Sequence, residues 1–443
     1  MTAAAHILCI NPWIHDFAAY DFWARPLGLL YLAGLLRDHG CRVTFIDCLD
    51  RFHPRHPQTD PAARCGRGPY RKTPIAKPER LMDVPRRYCR YGADPEWITA
   101  DLRAAGQPDM VLVTSLMAYW YPGVAETIAA VRSVYPKVPV VLGGVYATLY
   151  PAHAARATGA DRVICGHGEQ AVFDALEAYT GWCIRPKTDL GDINALPRPA
   201  LDLQRGLPFV PVRTSRGCPF SCDYCASSLI EPRLEKRNPE EVVAEIRSWH
   251  KWCGVRDVVF YDDALLVNAE KHADIIFDML AGSGMDLRLH TPNALHVRNI
   301  TAKTAKRMHA AGMQTLRLGV ETTDFEKRGM DHKVGAEEFF RAAAYLREAG
   351  FSRKHMGAYL LAGLPNQNPT EVEASIDGVK AAGITPVIAW YSPILGTKMW
   401  DAACAASRYD LAADPLLTNN AVMPCLPAFS WELAARFKDR IQK

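Results

Sequence analysis

Short, nearly unbroken apolar runs alternate with stretches whose apolar residues recur three and four apart, first over residues 6–180 and again from residue 211 into the 390s. A short apolar run marks a strand buried on both faces, and a 3.6-residue period marks a helix with one buried face. In the first block the pattern predicts strands at His6–Asn11, Cys41–Asp47, Met110–Ser115, Val138–Gly144 and Asp161–Gly166, with helices at Leu27–His39, Gly123–Val134 and Glu169–Tyr179. Strands separated by helices imply a parallel sheet covered on both sides, a doubly wound, Rossmann-like α/β domain with ligands at the carboxyl ends of its strands. The second block predicts strands at Asp257–Asp263, Leu287–Thr291, Thr315–Glu321, Met356–Leu361 and Pro386–Tyr391, with helices at Pro239–Trp252, Ala302–Ala311, Ala336–Ala349 and Thr370–Ala382. Between the blocks, Arg185–Ala200 carries three prolines among turn formers and cannot hold regular structure.

These patterns give an organisation of residues 1–182 as the first domain, 183–208 as linker, 209–400 as a second α/β domain and 401–443 as a carboxyl-terminal segment. Trp431–Ile441 in that segment reads as an amphipathic helix. The 443 residues are too many for one core, and 49% hydrophobic with 23% charged residues is ordinary for a globular chain. A net charge of +4 makes no case for nucleic acid, and the basic stretch Arg64–Arg90 reads as a solvated loop. No apolar run reaches the roughly 18 residues needed to span a bilayer, and Met1–His6 has no leader character, so the expectation is a cytoplasmic protein with no membrane span. Thirteen cysteines in such a chain are expected as reduced thiols, most of them small core residues.

Three of those cysteines differ from the rest. Cys218, Cys222 and Cys225 stand in Arg213-Thr-Ser-Arg-Gly-Cys-Pro-Phe-Ser-Cys-Asp-Tyr-Cys225, a C-x3-C-x2-C spacing that offers three thiolates from one short loop. A cubane [4Fe-4S] cluster has four irons, so three ligands leave one iron open to a substrate or cosubstrate. Structural zinc is the competitor, but it usually pairs a C-x2-C with a second Cys or His pair, and none lies nearby. Three inert cysteines at this spacing by chance is the remaining alternative.

This stretch resembles the radical S-adenosylmethionine (SAM) superfamily, whose members carry C-x3-C-x-aromatic-C after the first strand of a partial (β/α)6 barrel. The resemblance implies that SAM chelates the open iron, that Tyr224 lies beside the adenine, and that one electron from the cluster releases a 5′-deoxyadenosyl radical. It also implies an external electron donor such as flavodoxin or ferredoxin. Arg25–Ala33, Ser115–Gly123 and Leu142–Thr148 look like the amino-terminal domain of cobalamin-binding radical SAM proteins, which implies cobalamin held near Gly143, Gly144 and Gly166. The D-x-H-x-x-G segment that supplies a cobalt ligand in many cobalamin domains is absent from the chain. A Rossmann-like domain that binds no corrin and only shapes the pocket is the alternative.

Charged residues at the carboxyl ends of barrel strands are where chemistry is expected. Asp262 and Asp263 resemble the family's second-strand segment near the SAM amino group, or else they are a strand end or cap. Gly319-Val-Glu-Thr322 resembles its fourth-strand segment, with Glu321 near the ribose or amino group, or else in an ion pair. Arg298 and Arg317 each suit the methionine carboxylate through a bidentate fork, or a structural salt bridge. His290 and Tyr391 are the candidates for catalytic contact and, with Asn293 and Tyr359, for the pocket wall, although each equally fits a satisfied core position. Cys425 is expected over the pocket or simply packed. The function this reading favours is cobalamin-dependent methylation of a carbon or phosphorus in a small molecule. The alternatives are cobalamin-independent cyclisation, rearrangement or group transfer, and an iron–sulfur sensor without enzymatic activity.

Overall fold

The computed structural model describes residues 4–57, 60, 63–326, 329–331 and 334–443; Met1–Ala3, where the leader expectation begins, lie outside them. The chain forms two compact units, residues 1–208 and 209–443.

The first unit holds a five-stranded parallel sheet: β1 His6–Asn11, β2 Arg42–Asp47, β3 Met110–Val113, β4 Val140–Leu142 and β5 Arg162–Val163. Their order is β2-β1-β3-β4-β5, so the chain reverses direction across the sheet between β1 and β3. That arrangement places ligands outside the carboxyl ends near the reversal. The pleat sorts the side chains: Leu8, Ile10, Val111 and Val113 enter one core, and Ile7, Cys9, Met110 and Leu112 enter the other. The inner strands β1, β3 and β4 are buried on both faces, so they read as apolar runs, whereas the edge strands β2 and β5 are only partly buried. Burial pushes the Cys9 thiol up to about 12 and the Cys41 thiol up to about 11, as inert core positions require.

One part of this unit departs from the expectation. Ile14–Asp16, Lys72–Pro74 and Cys89–Tyr91 form a small antiparallel sheet. It brings part of the basic stretch read as loop into regular structure. The helix Pro95–Ala105 follows, also absent from the apolar pattern. The segment 183–208 is irregular apart from one turn of 3-10 helix at Leu201–Leu203.

The second unit holds a seven-stranded parallel sheet, six of whose strands follow in sequential order: β6 Val210–Val212, β7 Asp257–Phe260, β8 Arg288–His290, β9 Met313–Glu321, β10 Met356–Ala362 and β11 Thr385–Trp390, while the short strand Leu295–His296 pairs beside β9. Helices join successive strands, including Ala273–Ala281, which the apolar pattern did not mark off. Cap residues set their starts. Thr301 accepts from the Thr304 N–H and Asn368 from the Thr370 N–H, with Pro369 at the first helical position. Among the described residues no helix is long and apolar enough to cross a membrane.

His290 belongs to this scaffold. It is 1% exposed, and its Nε2 lies 2.8 Å from Asp257 Oδ1 and its Nδ1 3.0 Å from Thr315 Oγ1. Asp257 opens β7, so the imidazole leans toward the amino ends of the strands, away from the end where barrel chemistry is found. Both ring nitrogens are committed, and we leave His290 out of the proposed site. Burial opposes ionisation of Asp257, but hydrogen bonds from His290 and Arg288 win and hold its carboxyl below the usual range.

Removing one partner of a buried ion pair costs about 3–5 kcal/mol. Asp257→Asn is therefore expected to lower unfolding stability by about 3 kcal/mol at neutral pH. Because the native carboxyl is depressed, the difference from wild type is present above the ordinary carboxylate range and closes as pH falls through the native value. Urea unfolding of both proteins across acid pH reads this, and a difference that does not change with pH would refute the assignment.

Candidate functional site

The site begins where β6 ends. Ser215–Arg216 pairs antiparallel with Glu235–Lys236, which pinches off residues 217–234 as a closed loop carrying all three cysteines. Asp262, at the carboxyl end of β7, holds the root of that loop. Its carboxylate accepts from the Thr214 N–H at 3.1 Å, the Thr214 hydroxyl at 2.8 Å and the Ser215 hydroxyl at 2.6 Å. Burial pushes its carboxyl up, while these same hydrogen bonds pull it back. Asp262 thus faces the loop root, whereas its neighbour Asp263 is exposed.

Gly217 makes the turn into the loop with φ +82°, and a Cβ there would stand 2.0 Å from the Arg233 carbonyl oxygen. Only glycine fits both the angle and the approach. Cys222 is buried, and Cys218 and Cys225 are half-buried. The Cys225 N–H donates to the Cys222 carbonyl at 3.1 Å, and Ser227 brings its N–H within 3.4 Å and its hydroxyl within 3.3 Å of Cys225 Sγ. His296 Nε2 lies 3.9 Å from Cys218 Sγ. Three thiols on one closed loop are the donor set of a cubane that keeps one iron open.

Tyr224 sits between these thiols and a polar wall from β9 and the chain beyond it. Its hydroxyl donates to Asp331 Oδ2 at 3.2 Å. Burial pushes its phenol far up, with Glu321, Asp331 and the Cys222 and Cys225 thiols adding to the effect. Glu321 is 5% exposed and has φ +62°, a left-handed backbone uncommon for any residue but glycine. Gly319 makes room for it: a Cβ there would lie 3.2 Å from Glu321 Oε1.

Beside Glu321, the Tyr359 hydroxyl donates to the Pro292 carbonyl at 2.8 Å. Burial raises the Tyr359 phenol, Arg317 opposes that rise, and the Glu321 charge adds to it. Asn293 donates to the Tyr261 carbonyl at 3.0 Å. The structure therefore gathers Tyr224, Glu321, Arg317 and Tyr359 on one wall. Arg298 points elsewhere, toward Glu338 at 3.8 Å.

Tyr391 follows the last residue of β11, is 4% exposed, and its hydroxyl has no hydrogen-bond partner among the described residues. Burial pushes its phenol well up, and the nearby Cys425 and Cys404 thiols add to this. Arg408 holds the tail turn that carries Cys425 by donating to the carbonyls of Val422, Met423 and Leu426. Cys425 is itself buried, its thiol pushed up to about 11.

In the first unit, Gly143, Gly144 and Gly166 lie past the carboxyl ends of β4 and β5. The Ser115 hydroxyl donates to the Gly143 carbonyl at 2.7 Å, and the Gly166 N–H donates to the Thr148 hydroxyl at 2.9 Å. At Gly166 the space a Cβ would occupy is open, and at Gly143 its nearest neighbour would be the Ile164 carbonyl oxygen at 4.0 Å, so both leave backbone that a ligand can approach. Gly144 differs, since a Cβ on it would stand 2.3 Å from the Ser115 carbonyl oxygen. A separate shallow cleft, open to solvent, lies past β2 and is lined by Arg25, Asp47, Asp50, Arg51 and Arg205 among others.

Two of these residues were missed in the sequence. His296 stands in no spaced motif of the sequence, and Ser227 carries no pattern of its own. Position two after a ligand cysteine was the one available signal for Ser227.

Comparison with known proteins adds the following. The model of the Radical SAM superfamily matches residues 212–378, and that of the B12 binding domain matches residues 86–176. An uncharacterised methyltransferase of Pyrococcus horikoshii is 26% identical over 347 residues, covering 71% of this chain and 72% of the relative. The cytidylyl-2-hydroxyethylphosphonate methyltransferase of Streptomyces wedmorensis is 20% identical over 462 residues, covering 89% and 80%. The solved structure of the radical S-adenosylmethionine methyltransferase TsrM from Kitasatospora setae, with tryptophan and a SAM analog bound, superposes with a TM-score of 0.66 at 17% identity, over 92% of this chain and 78% of that one. At that identity the likeness is one of fold.

Gly217→Ala adds a side chain at a left-handed angle and against a carbonyl, a strain of about 1–3 kcal/mol placed on the cysteine loop. Reconstituted G217A is expected to retain less than half of the wild-type iron per chain. Gly166→Ala, also at a left-handed angle (φ +70°) but in open space and in the other unit, should retain all of it. Iron and sulfide analysis of the two variants reads the contrast, and equal iron in both would show that the turn does not shape the loop.

Proposed function

We propose, from the premise that this chain belongs to the radical SAM superfamily and carries a B12-binding domain ahead of its barrel, that it is a cobalamin-dependent radical SAM methyltransferase acting on a small molecule. The observation that carries the reading is the succession of a B12-type unit and a barrel whose first strand leads into three thiols on one closed loop. Cys218, Cys222 and Cys225 would hold three irons of a [4Fe-4S] cluster, and the open backbone at Gly143 and Gly166, with Gly144 between them in sequence, would hold the corrin. When bound, the cluster supplies one electron to SAM and the corrin supplies a transferable methyl group.

The chain's own residues bind, orient and exclude water. In this reading the Tyr224 ring lies along the adenine, and its buried hydroxyl, tied to Asp331, keeps the ring from turning. Glu321 accepts hydrogen bonds from the SAM ribose or amino group, its carboxylate aimed by the left-handed backbone and the space at Gly319. Arg317 offers its fork to the methionine carboxylate. Arg298, turned toward Glu338, is the weaker candidate for that carboxylate, and Asp263 stands at the strand end nearer solvent. Asp262 acts through the loop root it holds. Tyr391 keeps a buried hydroxyl without a partner, an arrangement that costs about 1–3 kcal/mol unless a ligand satisfies it. A polar group of the substrate would satisfy it. The electron comes from an external one-electron donor such as flavodoxin or ferredoxin.

Anaerobic reconstitution followed by corrin spectroscopy and product analysis tests the reading. The wild type is expected to bind iron, sulfide and corrin, and to form 5′-deoxyadenosine together with S-adenosylhomocysteine when substrate is present. Alanine at Cys218, Cys222 or Cys225 should reduce SAM cleavage to background while corrin binding stays. A protein that gains iron and sulfide but retains no corrin would eliminate methylation. Glu321→Gln is expected to weaken SAM binding by about 10-fold, the worth of one charge-assisted hydrogen bond. Equilibrium binding of SAM reads this, and unchanged affinity would remove Glu321 from the site.

A further inference from the structure

His296 reaches the cysteine loop at two points. Leu295–His296 is a short strand paired beside β9, with His296 opposite Gly319, so the imidazole is presented from a fixed backbone. It is 4% exposed. Its ring packs on Phe220, with centroids 4.4 Å apart and planes 32° apart, and its Nε2 lies 3.9 Å from Cys218 Sγ. Phe220 lies between the first two cysteines in sequence, so the same ring that steadies the loop also points a nitrogen at its first ligand. Ser227 bears on the third ligand, Cys225, with both its N–H and its hydroxyl.

A free thiol can donate to an imidazole, but a cysteine bound to iron is a thiolate and can only accept. Ligation of Cys218 therefore fixes the direction of this contact, with the proton on Nε2. Hydrogen bonds to cluster sulfurs draw charge off the thiolates and favour the cluster that has taken up an electron, which raises its reduction potential. We infer that His296 donates from Nε2 to the Cys218 thiolate and, together with Ser227 on Cys225, sets the potential at which the cluster accepts its electron. His296 is on this view a positioning residue that acts through Cys218. The inference rests on the reading that the three cysteines hold a [4Fe-4S] cluster.

The test is a potentiometric titration of the anaerobically reconstituted full chain, followed by the paramagnetic signal of the reduced cluster. H296F keeps an aromatic ring against Phe220 and removes the donor. It should retain wild-type iron yet titrate at a lower potential, with the reduced-to-oxidised ratio at a fixed potential at least about threefold below wild type, the low end of one hydrogen bond's net worth. S227A should shift the same way by less, since its backbone N–H remains. A wild-type potential in H296F overturns the inference. Should H296F fail to retain a cluster, H296Q and H296M, alike in length and differing in a donor, read the same quantity: a higher potential in H296Q supports the assignment and equal potentials overturn it. A wild-type protein that forms no cluster would instead sink the cluster reading, so the two failures are told apart.

Discussion

The second unit depends on one carboxylate. Asp262 closes β7 and accepts from Thr214 and Ser215, which stand where β6 gives way to the cysteine loop. Without that anchor the strand–loop junction would leave buried donors unmet, each at about 1–3 kcal/mol. Asp262 is itself buried, and desolvation alone would favour its neutral form, so the hydrogen bonds are what make the charged form tolerable there. Carboxylate and loop root require each other. The Gly217 turn and the pinch at Ser215–Arg216 then close the loop, and residues distant in sequence steady it, His296 on Phe220 and Asp331 on the Tyr224 hydroxyl.

Much of this was legible beforehand because it is local. The C-x3-C-x2-C spacing defines the loop whatever surrounds it, and strands buried on both faces announce themselves as apolar runs, which is why β1 and β10 were predicted to within a residue at each end. The small antiparallel sheet was not legible. Its strands are three residues long and include Lys72, Pro74 and Arg90, so no period develops. The helix Ala273–Ala281 was hidden for the opposite reason: an apolar run such as Ile275–Phe277 does not by itself separate helix from strand.

Residue roles were legible only where spacing along the chain decides them. His290 sits at a strand end, as a catalytic residue would, yet its ring turns back toward Asp257. No sequence pattern states which way a side chain leans along its strand. Asp262 and Asp263 are neighbours with opposite fates, one inside and one exposed, because successive residues leaving a strand point to opposite sides. Neither distinction can be recovered from residue type.

The carboxyl-terminal helix has its meaning through Glu321. A left-handed glutamate costs about 1–3 kcal/mol and persists only where its surroundings hold it. Here the chain leaving β9 is held by Ser375, whose hydroxyl meets the Thr322 hydroxyl at 3.3 Å and accepts from the Thr323 N–H at 3.0 Å. Ser375 lies on the helix Pro369–Ala381, and that helix is gripped from outside by Trp431–Gln442 through Arg436 on Glu373 and Arg440 on Asp377. Both arginines face solvent, and screening by water leaves those ion pairs little to contribute. Phe437 decides the matter instead: it is 2% exposed and stacks on Trp390, the last residue of β11. Full burial of such a ring is worth about 1.5–3 kcal/mol, comparable to the strain at Glu321. The tail is thus a buttress, and its hydrophobic knob outweighs its charges in holding the helix that holds the strained end of β9.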